Sequence, residues 1–190
     1  IDLAVTNNLA ADLEGHPDNS SASVYGGLTL SWTDDRDDTV TRTVRAPLHE
    51  DVDVVVLVPA EQLSTAKARS VLPSQVRLGD AARNGARAAL LIHALGHDPA
   101  LLLPATREWL HQEPRRPSYA ASMALVDRLR GEGHAAVISG AGPSVLVLTT
   151  RGSQDAVVAM ADDAWTTLTP GIPQTGAHVV PAAATASSSG

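Results

Sequence analysis

The apolar positions of this chain fall into short runs and helical stripes, separated by turns of glycine, proline and acidic residues. The most distinct stretch is 135–150. Two β-branched, aliphatic runs flank six small residues, Ser139-Gly140-Ala141-Gly142-Pro143-Ser144, which predicts two buried strands joined by a tight turn. Gly140 and Gly142 permit positive φ and let another backbone, or a phosphate, come close. Pro143 fixes φ and withholds a donor as the second strand begins. A glycine hairpin with no ligand accounts for this pattern as well as a ligand site does.

The same reading predicts a helix over 1–13, with Leu3, Leu9, Ala10 and Leu13 on its apolar face. Nothing before Ile1 caps this helix, and Ile1 is not an initiator Met, so the chain reads as the C-terminal part of something longer. Glu14-Gly15-His16-Pro17-Asp18-Asn19 is then a turn: Gly15 can end the helix left-handed, and Asp18 or Asn19 can cap the next element. Its His, Asp and Asn side chains make a polar cluster, a pattern that caps more often than it catalyses. Alternation over 25–32 and 39–45, around the charged turn 34–38, predicts a hairpin. Pro47 marks a boundary, and 52–58 is a near-continuous apolar run, the pattern of a central strand closed by Pro59.

Helices are predicted next over 64–72 and 75–95, the second with Val76, Ala82, Ala86, Ala89, Leu90 and Ile92 on one broad face and Asn84 free to bond a neighbouring loop. Further helices are predicted from Pro99 to about 111, over 118–130 and over 153–165, with a last strand near 177–180. The tail 181–190 has the composition of a disordered segment. Interleaved strands and helices, two of the strands meeting through a tight turn, indicate an α+β sandwich of ferredoxin-like type: an antiparallel sheet with helices on one face.

Composition narrows the chemistry. The 190 residues are 44% hydrophobic but only 3% aromatic, with no Phe, so the core is aliphatic. A net charge of −7 argues against nucleic acid or an anionic membrane as a general partner. With a single Lys, Lys67, a cation at a ligand site is expected to be a guanidinium, suited to gripping carboxylate or phosphate. Absence of Cys removes disulfides, thiolate metal sites and thiol nucleophiles, and fits a cytoplasmic protein. No segment approaches the apolar length of a membrane span. His93 and His97 have metal-binding spacing, but with no third ligand nearby the expectation is no metal site.

Three motifs, in order, resemble one family. Glu14-Gly15-His16-Pro17-Asp18-Asn19 with Gly26-Gly27-Leu28, then Leu110-His111-Gln112-Glu113-Pro114-Arg115 before a helix, then Ser139–Ser144, together resemble the homoserine kinases of the GHMP small-molecule kinase superfamily. The resemblance covers about 1–180. It implies the remainder of an N-terminal domain of ribosomal-protein-S5-like type over 1–48, a ferredoxin-like C-terminal GHMP kinase domain over 49–180, and the tail.

The activity implied is transfer of the ATP γ-phosphoryl group to the hydroxyl of L-homoserine, with ATP and Mg²⁺ as cofactors and a homodimer as the family expectation. By resemblance, Asp18 and Asn19 approach the substrate's amino and hydroxyl groups, and His16 shapes their turn. Arg69 and Arg115 match substrate-binding arginines, and Ser139, Gly140, Ala141, Gly142 and Ser144 form the loop beside the pocket. Asp18 is the candidate base, with substrate orientation as its other role. The pattern's glycine- and serine-rich phosphate loop has no match here, and Gly-x-x-x-x-Gly-Lys-Ser/Thr is absent too. ATP and Mg²⁺ would therefore be held mainly by a segment upstream. A non-catalytic amino-acid-binding module, or a related kinase with another acceptor, are the alternatives.

Overall fold

The computed structural model describes residues 2–60 and 70–180. They form two compact units, one up to Ala46 together with residues from Pro173, the other Pro47–Ile172.

In the first unit, helix α1 (Leu3–Glu14) is capped from within the chain. Asp2 Oδ1 accepts the N–H groups of Ala4 (2.9 Å) and Val5 (3.2 Å), which corrects the expectation of an uncapped start. Gly15 ends α1 in the left-handed region at φ 73°, as the sequence predicts. Pro17 then opens α2 (Pro17–Tyr25), so Asp18 and Asn19 lie in a helical first turn. Strands β1 (Leu28–Asp34) and β2 (Asp37–Ala46) pair antiparallel, Leu28 opposite Ala46 and Thr33 opposite Thr41.

The hairpin turns its polar side inward. Thr43 Oγ1 accepts from Asn7 Nδ2 (3.2 Å), pairs with Ser31 Oγ (2.9 Å) and bonds Ser21 Oγ (3.1 Å). Asn7 and Ser21 are fully buried there. Period-2 alternation sends Leu30, Trp32 and Val44 to the outer face, where they stay exposed. The predicted strand at 177–180 does not form. Residues from Pro173 instead cross α2 and β1: Gly27 N–H donates to Pro173 O (2.8 Å) and Ala177 N–H to Val24 O (3.1 Å). A Cβ on Gly176 would stand 2.3 Å from Val24 O, so only glycine lets the two backbones cross.

In the second unit, β3 (Val52–Pro59) is interior to a four-stranded antiparallel sheet, ordered β4-β5-β3-β6, with β4 (Ala135–Ile138), β5 (Val145–Thr150) and β6 (Trp165–Leu168). Val55 and Leu57 of β3, and Val145 and Val147 of β5, are fully buried. They pack with Met123, Leu125, Val126 and Leu129 of the helix Ala120–Gly131. Each such aliphatic side chain contributes about 1.5–3 kcal/mol when taken from water. The α+β, ferredoxin-like architecture is as the sequence predicts.

The remaining helices depart from prediction in instructive ways. Helix α3 (Leu78–Gly96) forms, but its inward face is not the alanine stripe. Ala82, Ala86 and Ala89 are exposed, as is Val76, while Ala94 and Leu95 are buried. The side carrying Asn84 faces a loop, where Asn84 Oδ1 accepts the Trp109 N–H (3.2 Å) as expected. The helix predicted from Pro99 to 111 stops early: a 3₁₀ turn, Pro99–Leu101, leads into α4 (Leu102–Ala105). Thr106 Oγ1 folds back onto Leu102 O (2.9 Å) and Leu103 O (3.1 Å), competing with helix continuation. A new short helix, α5 (Gln112–Arg115), and a second 3₁₀ turn, Arg116–Ser118, precede α6 (Ala120–Gly131). The helix predicted over 153–165 is only α7 (Gln154–Val158). Asp162 then closes a turn by accepting from Ala164 N–H (3.1 Å) and Trp165 N–H (3.1 Å), and β6 takes the sheet edge. Most of the predicted helix 64–72 lies outside the described residues, as does the tail.

Candidate functional site

The His16–Asn19 cluster sits at the helix–turn–helix junction of the first unit, exposed on all three polar side chains. His16 occupies the N-cap position of α2 without a side-chain cap bond. Asp18 Oδ1 accepts the Asn19 N–H (2.9 Å) in the first helical turn, where a carboxylate is favoured by the helix dipole. The three side chains the resemblance selects are thus gathered on one exposed turn. Arg69 lies outside the described residues.

In the second unit the other two motifs meet, through residues that sequence reasoning did not select. Glu108 starts the construction. Its carboxylate accepts three successive N–H groups, those of Leu110, His111 (2.7 Å) and Gln112 (2.9 Å), and so seats α5. Gln112, buried, turns its Oε1 to the Ile138 N–H (2.7 Å) at the end of β4. The helix bearing Arg115 is thereby fastened to the strand that runs into the Ser139–Ser144 turn. From the other side, Ser122 Oγ of α6 donates to Pro143 O (2.6 Å).

The turn itself is closed by Ser139 N–H to Ser144 O (2.8 Å) and Gly142 N–H to Ser139 O (2.9 Å). Gly140 (φ 56°) faces open space, with nothing within 4 Å of an added Cβ. Gly142 (φ 80°) has none to spare: a Cβ would meet Ile138 Cγ2 at 2.9 Å and Tyr119 Cε1 at 3.0 Å. The two glycines therefore do different work, Gly140 leaving a surface approachable and Gly142 admitting the Tyr119 ring.

Arg115 is buried, 7% exposed, beside His111 (Nη1 to Nδ1, 3.5 Å). Burial pushes the His111 imidazole below its ordinary pKa; Glu108 opposes that and the Arg115 charge adds to it. A neutral imidazole is thus kept next to a guanidinium. Tyr119, 5% exposed, is raised chiefly by burial, with Arg115 pulling the other way. Arg116 is the contrast: its guanidinium pairs with Glu113 (2.6 Å) and Asp127 (2.8 Å) at the surface, a structural clamp.

A cavity of about 670 Å³ opens beside this end of the unit, lined in part by Tyr119, Ser122, Pro143, Arg128, Asp162 and Trp165. Among the described residues no group of three His, Cys, Asp or Glu could hold a metal ion. The His93 and His97 rings lie 5.4 Å apart, tilted by 39°. No helix among the described residues is long and apolar enough to cross a membrane. Glu108 and Gln112 had a faint signal in sequence, a carboxylate spaced to reach the first N–H groups of the next helix; Tyr119 and Ser122 had none.

Residues 80–166 match the family described as "GHMP kinases C terminal". The chain is 46% identical over 183 residues to homoserine kinase of Streptomyces coelicolor, covering 96% of this chain and 58% of that protein. It is 47% identical over 176 residues to homoserine kinase of Streptomyces avermitilis, covering 93% and 57%. The chain spans little more than half the length of these relatives. Among solved structures, homoserine kinase from Cytophaga hutchinsonii superposes with a TM-score of 0.72 at 22% identity, over 85% of this chain and 53% of that one. L. major mevalonate kinase in complex with R-mevalonate superposes at 0.59 and 16% identity, over 85% and 53%. At such identities the likeness is one of fold.

Proposed function

From the premise that residues 80–166 form the C-terminal domain of a GHMP kinase, we propose that this chain is the larger part of a homoserine kinase. It would pass the γ-phosphoryl group of ATP to the side-chain hydroxyl of L-homoserine, giving O-phospho-L-homoserine for threonine biosynthesis in the cytoplasm. The observation that carries the reading is the fastening of the helix that bears buried Arg115 to β4, the strand leading into the Ser139–Ser144 turn, through Gln112, in a chain 46% identical over 183 residues to a homoserine kinase.

Phosphoryl transfer needs little covalent help from protein groups; positioning and charge neutralisation supply most of the acceleration. In this reading Arg115 and Arg69 grip the amino-acid carboxylate, for which a guanidinium has matching geometry. Asn19 and Asp18 take the amino and hydroxyl groups, and His16 shapes their turn. Gly140 leaves the turn open to approach. ATP would bring the transferable group and Mg²⁺ its charge neutralisation. By the resemblance, the metal and the phosphate loop would belong mainly to an upstream stretch. The purified 190-residue chain is then expected to give no homoserine-dependent ADP release, and turnover by it would refute that assignment. A homodimer, the family expectation, is checked by sedimentation.

The deciding experiment is acceptor choice by the full product of the gene. L-homoserine is expected to be phosphorylated in preference to serine, mevalonate and sugars. Preference for an acceptor without an amino-acid head group would overturn the reading. In the same protein Asp18→Asn is expected to lower turnover far more than substrate affinity, and unchanged turnover would remove the base role.

A further inference from the structure

The Tyr119 hydroxyl is buried; the Arg115 guanidinium acts on its oxygen but can only donate, and among the described residues no acceptor takes the phenol's own proton. Buried hydroxyls are nearly always partnered, because an unmade bond there leaves the desolvation uncompensated. Packing does not require the oxygen. The ring already fills its place, against the position where a Gly142 Cβ would come within 3.0 Å of Cε1 and 3.1 Å of Cδ1. Phe would fill that space equally well. The backbone of residue 119 is engaged on its own account, its carbonyl accepting the Met123 N–H (3.1 Å) at the start of α6.

The surroundings of the phenol indicate its use. The charge of Arg115 acts on it, and burial outweighs that charge, so the O–H keeps its proton and stays a donor. The ring also lines the cavity of about 670 Å³ with Ser122 and Pro143. A carboxylate gripped by a guanidinium has more lone-pair sites than two N–H groups fill. A neighbouring O–H can take the next one.

We propose that Tyr119 is a substrate-binding residue, its buried hydroxyl donating to the carboxylate of the amino acid that Arg115 holds. This rests on the homoserine kinase reading given above. It assigns to the end of α6 a contact that neither sequence motif contains, and it explains why a tyrosine stands where the packing needs only a ring.

The test uses the full product of the gene, with Tyr119→Phe and Arg115→Gln compared with the parent. Tyr119→Phe is expected to raise the KM for L-homoserine about tenfold or more, the usual worth of a bond to a charged group. It should change kcat far less, leave the KM for ATP as it was, and melt no lower than the parent, since the ring is retained. An unchanged homoserine KM, or equal loss for both substrates, overturns the proposal. If Arg115→Gln weakens homoserine and Tyr119→Phe does not, the functional reading stands and the tyrosine contact falls. If neither changes homoserine use, or the parent does not use homoserine, the reading falls and the contact with it.

Discussion

Gly140 and Gly142 show how far residue type alone can be read. Both have positive φ, but only Gly142 has neighbours within 4 Å of its missing Cβ. Gly140→Ala is expected to cost about 1 kcal/mol, the penalty of a left-handed alanine. Gly142→Ala adds overpacking against Ile138 and Tyr119 and is expected to cost at least about 2 kcal/mol. Denaturant unfolding measures both, and equal losses would show that the Tyr119 ring is free to give way. The motif was legible as glycine, alanine and serine in a row. The ring that makes one glycine obligatory was not, because Tyr119 is 23 positions before Gly142 and no local pattern links them.

At the scale of elements, the apolar interior strands are easier to find than helix ends. Val52–Pro59 and the 135–150 hairpin announce themselves by apolar runs broken at Gly and Pro, and they form as predicted. Helix ends were set by hydroxyl and carboxyl groups competing for backbone, Thr106 on Leu102 and Leu103 and Asp162 on Ala164. The face of α3 was misread because alanine satisfies a helical period whether it is buried or not. The joint between α5 and β4 follows the same logic of side chain serving backbone. Gln112→Ala leaves the buried Ile138 N–H unpaired and is expected to cost about 1–3 kcal/mol and to impair homoserine binding. Arg116→Ala breaks a surface clamp and is expected to cost less than about 1 kcal/mol, with homoserine binding intact. Equal effects from the two would remove the distinction between joint and clamp.

For the whole molecule, acid should act in two stages. His111 is held below its ordinary 6.5, mainly by burial. The unfolded chain therefore takes up that proton first, and stability present above pH 6.5 is lost as pH falls toward the lower folded pKa. Asp34 is held low by the Arg36 N–H and by Arg42, Asp37 by Thr39, and Glu113 by Arg116. Their contribution is complete above the ordinary range of 3.8–4.5 and disappears below it. Melting temperature followed from pH 8 to pH 3.5 should be level, then fall below about 6.5, then fall again near 4. His111→Gln should abolish the first fall and keep the second; two falls in that variant would place the upper titration elsewhere.

The crossing of Gly176 over Val24 has a consequence for how the protein is made. During synthesis α1, α2 and the β1–β2 hairpin emerge before any of Pro47–Ile172. Their unit is completed only by residues from Pro173, after all of Pro47–Ile172 has been synthesised. Of the two units, the one that emerges first is therefore the last to be complete. The second unit can close while the first still waits for its last piece. Until that piece arrives, the nascent hairpin offers unpaired strand edges and the exposed Trp32 to its neighbours on the polysome.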